Sequence, residues 1–220
     1  MRINTKTLCE QYSQYGFRER LEAIFRDYDR VLITSSFGTT SAILLHHLHQ
    51  VKPDHPVHFI DTRYLFPETH AYRAQLSQKW NLNVVSVMPS ANAHTYTRMD
   101  YTWAHQPDAC CHINKVSPLE ALKNEHDVWI SGMIGGLSQS RKTRQLFEFD
   151  GGLFRFYPFI DMSAEDVHYY RIIHELPEHP LEGKGYGSVG CRQCTQKGQG
   201  RSGRWANFNK TECGLHVFKA

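Results

Sequence analysis

Three features of the sequence predict an α/β fold with a mostly parallel, doubly wound sheet. Short β-branched runs alternate with helical segments, a hydroxyl-rich loop follows the first run, and periodicity vanishes after Pro177. With 220 residues at 40% hydrophobic content, the chain can bury one substantial core. The expected division is a domain over 1–176 and a C-terminal segment over 177–220.

Taken in order, residues 4 to 28 read as one amphipathic helix, with Leu8, Tyr12, Leu21, Ile24 and Phe25 at helical spacing. VLITSS (31–36) is a strand, FGTT a turn, and SAILLHHLHQV (41–51) a buried helix. The unit recurs as VHFI (57–60), a helix starting at Pro67, and the strand NVVSVM (83–88). DVWISGM (127–133) is a further strand, QLFEFDGGLFRFYP (145–158) a hairpin turning at Gly151 and Gly152, and SAEDVHYYRIIHEL (163–176) a helix capped by Ser163.

The net charge is +3, but Lys197, Arg201, Arg204, Lys210 and Lys219 crowd the end of the chain against Glu212 alone. Such a tail suits a small anionic substrate better than nucleic acid, because no aromatic–basic repeat accompanies it. No apolar run approaches the ~18 residues of a membrane span, and the N-terminus lacks a secretory apolar segment, so the expected compartment is the cytoplasm. There, six cysteines point to metal or redox chemistry rather than to disulfides.

The loop Ser35-Ser36-Phe37-Gly38-Thr39-Thr40-Ser41 joins a strand to a helix, where free amides and the helix dipole favour an anion. A capped helix with a glycine turn accounts for it equally well. It is neither a Walker A loop nor a dinucleotide fingerprint. Cys110-Cys111 and Cys191-x-x-Cys194 supply four thiolates, open to an iron–sulfur cluster, to zinc or to a non-metal role. Adjacent cysteines close poorly on one small ion, which favours a cluster. His46, His47 and His49 share a helix and are read as core-edge residues, and Cys9 as a buried helix residue.

The loop resembles the S-G-G-x-D-S loop of adenine-nucleotide hydrolases, with Thr40 in place of the aspartate, and more closely the S-S-F-G loop of sulfonucleotide reductases. Residues 61–69, DTRYLFPET, resemble that family's D-T-G-Y-L-F-P-E-T, with Arg63 in place of glycine. Residues 110–119 resemble the C-C-x-x-x-K-V-x-P-L of its adenylyl-sulfate reductases, and 191–195 their C-x-x-C-T. Arg201-Ser202-Gly203-Arg204-Trp205 and Glu212-Cys213-Gly214-Leu215-His216 are similar to R-x-G-R-W and E-C-G-L-H.

This resemblance to assimilatory sulfonucleotide reductases, nearest the iron–sulfur adenylyl-sulfate reductases, implies a fold of the adenine-nucleotide alpha-hydrolase type. It implies one 4Fe–4S cluster on Cys110, Cys111, Cys191 and Cys194. It implies Cys213 as the nucleophile that becomes S-sulfocysteine, with Lys115 and His216 as further catalytic residues. Substrate contacts are expected from Ser35, Ser36, Phe37, Gly38, Thr39, Ser41, Asp61, Thr62, Arg141, Arg201 and Arg204. Adenylyl sulfate is the expected substrate ahead of phosphoadenylyl sulfate, with thioredoxin or glutaredoxin as reductant and a homo-oligomer compatible with the family. A mobile tail would deliver Cys213.

One stretch departs from the family. Its G-x-R-R-x-Q-S-x-x-R is replaced by Gly132-Met133-Ile134-Gly135-Gly136-Leu137-Ser138-Gln139-Ser140-Arg141, which lacks the paired arginines. Without gaps Ser138 and Arg141 remain; with a two-residue slip Gln139 and Ser140 fill the glutamine–serine place, followed by Arg141, Lys142 and Arg144. Because guanidinium pairs are a principal means of holding sulfate and phosphate, a different adenylylated acid is an alternative substrate. A zinc-binding nucleic-acid module is the alternative from another class.

Overall fold

The structure, a computed structural model, describes residues 4–137 and 141–216. Its elements are helices α1 (Thr5–Tyr12) and α2 (Phe17–Asp27), β1 (Val31–Ser35), α3 (Ser41–Val51), β2 (Val57–Ile60), α4 (Pro67–Trp80) and β3 (Val84–Val87). There follow α5 (Ala91–Met99), α6 (Thr102–His105), α7 (Pro107–Cys111), a π-helical turn (His112–Val116) and α8 (Ser117–Asn124). Strand β4 (Val128–Ser131), the hairpin β5 (Phe147–Asp150) and β6 (Leu153–Phe156), and α9 (Ala164–Ile173) complete the domain.

Among the described residues the sheet has six strands in the order β3-β2-β1-β4-β6-β5, parallel except for β5. The order reverses between β1 and β4, and the crevice beyond the carboxyl ends of those strands is where open α/β sheets bind ligands. Central strand β1 is buried throughout, as expected for a parallel strand covered on both faces.

The single helix expected over 4–28 is instead two. Gly16 stands at the N-cap of α2 with extended backbone, and the Glu19 carboxylate accepts its N–H at 2.7 Å, so a new helix starts where the periodicity seemed continuous. The Pro67 start, the Ser163 cap and the hairpin all form as expected. Gly151 and Gly152 have φ of +60° and +92°, the positive pair that a two-residue hairpin turn demands.

After α9 the chain forms turns and short 3-10 helices rather than periodic structure. It is nonetheless tied down. Tyr72 donates to the Pro177 carbonyl at 2.7 Å, Lys184 meets Glu68 at 3.0 Å, and Leu181 and Val189 pack on Phe66. The end of the segment returns to the sheet, where Leu215 joins Leu32, Ile60 and Trp129.

Candidate functional site

A cavity of about 230 Å³ lies at the strand-order switch. Ser35, Ser36, Gly38, Thr39 and Ser41 line one side, Gly132, Met133 and Arg141 another, and the returning tail supplies Arg201, Arg204, Glu212, Cys213 and His216. Lys115 lies at the junction of this cavity with a second, smaller one.

Phe37 and Asp61 stand apart from this cavity. The Phe37 ring is fully buried edge-on against Phe59, at 5.2 Å between centroids, and its φ of +48° turns the loop so that its hydroxyl neighbours face the cavity. Asp61 accepts the Arg63 N–H at 2.8 Å and closes a turn. Arg63 sits there at φ +60°, the conformation in which glycine carries no Cβ penalty, which explains why glycine suits this position.

The smaller cavity is lined by all four motif cysteines, Cys110, Cys111, Cys191 and Cys194, together with Thr62, Tyr64, Asn114 and Lys115. Thr62 therefore belongs here, its hydroxyl 3.1 Å from Cys191 Sγ. Asn114 anchors Cys110, donating to its carbonyl at 3.0 Å. Trp205 packs on Cys111 and Cys194. Among the described residues, no three metal-ligating side chains are gathered as one metal ion would require.

Burial pushes the Cys110 and Cys111 thiols up to about 12 and Cys194 to about 11. Cys213 goes the other way. Burial would raise it, but the Lys115 ammonium, the Leu215 amide and Arg204 outweigh this and bring the net shift down, which favours the thiolate. Lys115 is itself buried at 8% exposure, and despite that desolvation its ammonium is favoured, by Cys213 first. The π-helical turn that carries it follows directly on Cys111; such one-turn π segments recur at functional sites.

The tail is docked, not extended. Arg141 and Arg201 both hold the Glu212 carboxylate, and although burial would raise that group, Arg141 first and then Arg201 lower it below the usual carboxylate range. The His216 ring stacks on Trp129 at 5.1 Å and 7°, with Tyr157 Oη 3.3 Å from its Nδ1. Burial, followed by Arg141, Arg155 and Arg144, lowers it well below the usual histidine range, so the ring is neutral.

Three basic residues of the tail gather on Trp205, while Lys197 is exposed. Arg204 lies 4.5 Å from the Trp205 ring centroid, Arg201 5.9 Å and Lys210 5.6 Å. Lys219 lies outside the described residues.

The atypical stretch after β4 is part of the core. Ile134 is buried, and a side chain at Gly136 would meet the Met162 carbonyl at 2.7 Å. A Cβ at Gly135 would collide with the Ile160 carbonyl. An arginine does not fit at 135, and Arg141 lines the cavity with its guanidinium on Glu212. Ser138, Gln139 and Ser140 lie outside the described residues.

Sequence reasoning missed two contributors. Gly187, Ser188 and Gly190 line the cavity from a stretch read only as irregular, and a Cβ at Gly190 would occupy the space of the Arg204 guanidinium. Glu212 was read only as part of a motif, yet it is the anchor for two arginines; an acid amid five basic residues was the available signal. The histidines of α3 take the bland role, His47 stacking on Tyr170 at 4.8 Å.

Residues 30–197 match the family model described as the phosphoadenosine phosphosulfate reductase domain. Adenosine 5'-phosphosulfate reductase of Halalkalibacterium halodurans is 35% identical over 199 residues, covering 86% of this chain and 85% of that protein. The protein of that name from Bacillus cytotoxicus is 34% identical over 223 residues, covering 97% and 95%. Among solved structures, phosphoadenylyl-sulfate reductase from Candida auris superposes with a TM-score of 0.77 at 19% identity, covering 89% of this chain and 99% of that one. Yeast FAD synthetase shares the fold more distantly, with a TM-score of 0.57 at 14% identity over 90% and 70%. The chain belongs to the phosphoadenosine phosphosulfate reductase family and is a sulfonucleotide reductase of sulfate assimilation.

Proposed function

We propose that the protein reduces adenylyl sulfate to sulfite and AMP through a thiosulfonate on Cys213. The observation that carries this is that Cys213, the cysteine whose thiol is shifted down, lines the cavity edged by the hydroxyl loop and by Arg141, Arg201 and Arg204. The loop and the arginines hold the anionic nucleotide. The Cys213 thiolate attacks the sulfo sulfur, the bond to the phosphate oxygen breaks, and AMP leaves with the electron pair. Two thiols of a thioredoxin- or glutaredoxin-class protein then release sulfite, sulfur falling from +6 to +4 as they are oxidised to a disulfide. His216, neutral and stacked on Trp129, is a positioning residue. Adenylyl sulfate is preferred over its 3'-phosphorylated form because the relatives at 35% and 34% identity carry the former name.

Cys110, Cys111, Cys191 and Cys194 would hold a 4Fe–4S cluster. They fit: four thiols line one cavity, and burial raises Cys110, Cys111 and Cys194 to a range where a bound cation is needed to make them thiolates. Trp205 Nε1 beside them is buried without a hydrogen-bond partner among the described residues. The cluster would supply a compact anionic charge next to Lys115.

The test is anaerobic incubation with adenylyl sulfate, its 3'-phosphate form and a dithiol. Sulfite from the first is expected, and without reductant one AMP per chain with a gain of ~80 Da on the Cys213 peptide. An equal burst from Cys213→Ser overturns the assignment.

A further inference from the structure

Cys213 faces two cavities. Besides the nucleotide cavity, it lines a larger one of about 630 Å³ together with Gly214, Leu215, Val116, Lys123, Asn124, Leu153 and Arg155. None of the loop residues that edge the nucleotide cavity takes part in this second cavity. Its charges are largely mutually matched, Arg30 with Asp127, Lys123 with Glu120 at 3.5 Å, and Arg155 with Asp150, so an incoming thiolate meets no dominant negative field.

We propose that this second cavity is the entrance through which the thiol reductant reaches the sulfurylated Cys213, so that the two half-reactions use opposite sides of the docked tail. The inference rests on the reading of Cys213 as the nucleophile. The reason is stereoelectronic. Once Cys213 carries the sulfonate it took from the nucleotide side, the leaving sulfite points toward the nucleotide cavity. A thiolate displacing sulfite from Cys213 Sγ must enter in line, into the antibonding orbital on the far side of the S–S bond. That approach runs through the second cavity. The new bond is a mixed disulfide between the reductant and Cys213, the electron pair of the broken S–S bond leaves with sulfite, and a second thiol of the reductant then frees the Cys213 thiolate. Gly214, at φ +83°, turns the chain directly after the nucleophile and adds no side chain to the passage.

Two measurements test this. Asn124 is exposed at the end of α8, and Asn124→Trp places an indole at the rim, as does Arg30→Trp. Either variant is expected to keep the AMP burst and to slow sulfite release by a protein dithiol about tenfold or more, in line with the cost of displacing an approaching reactant. The second uses the unaltered protein: with saturating AMP, iodoacetamide should alkylate Cys213 within about threefold of the AMP-free rate, since its thiolate stays accessible from the other side. Unchanged sulfite release in both variants, or complete protection of Cys213 by AMP, would overturn the entrance. Absence of a burst in the wild-type protein would instead remove the reading of Cys213 itself.

Discussion

Arg141 grips Glu212 through two guanidinium nitrogens, Nε at 2.7 Å and Nη2 at 3.1 Å, and so ties the β4–β5 connection to the residue beside Cys213. The two side chains are 19% and 13% exposed, a largely desolvated pair. Removing the Glu212 charge leaves both Arg141 and Arg201 without it. Glu212→Gln is expected to destabilise the docked tail by about 3 kcal/mol and to lower kcat/KM by about a hundredfold, read from tail proteolysis and steady-state kinetics. Unchanged proteolysis would show that the clamp does not hold the tail.

Lys115 is the charge shared by the two inner cavities. Lys115→Ala should slow the single-turnover AMP burst about a hundredfold or more, because a preorganised buried cation that favours the thiolate is removed. Rapid-quench measurement of AMP checks this, with the iron content of the same preparation confirming that the cysteine cavity is intact.

Replacing any one of Cys110, Cys111, Cys191 or Cys194 by serine should yield protein with less than about one iron retained per chain after aerobic handling, against about four in the anaerobic wild type. Iron, sulfide and visible absorbance report the outcome. Stoichiometric zinc in a colourless wild-type preparation would remove the cluster.

The fold should be acid-labile away from the active site. Burial lowers His46, His47 and His179 from 6.5 to about 4, so the unfolded chain binds more protons than the folded one between those values. The stability these neutral rings contribute is fully present above pH 6.5 and is lost as pH falls from 6.5 toward 4. Both ring nitrogens of His47 lack a hydrogen-bond partner among the described residues. His47→Phe, which keeps the stack on Tyr170, should flatten the fall in unfolding free energy, read from urea titrations, by up to about 1.4 kcal/mol per pH unit. An identical slope in the variant would contradict this.

Local chemistry made much of the domain legible. Strand–loop–helix order follows from short-range periodicity, and Pro67, Ser163 and the Gly151-Gly152 pair fix starts and turns within a few residues. Gly16 was missed because a helix start satisfied by a carboxylate three residues on interrupts no hydrophobic spacing.

The sequence by itself determined the parallel α/β order, the residue types available for an anion site and the grouping of the cysteines into pairs. Only the tertiary structure decided which of them meet. Phe37 turned into the core, Asp61 into a turn, and Thr62 to the cysteines, because side-chain direction depends on one or two backbone dihedrals that composition does not encode. Arg141 and Glu212 lie 71 positions apart, and Cys213 reaches Lys115 only because the tail returns across the sheet to dock Leu215 and His216 against Trp129. Contacts of that range are set by the path of the folded chain and by which buried charges find partners, not by any local window of residues.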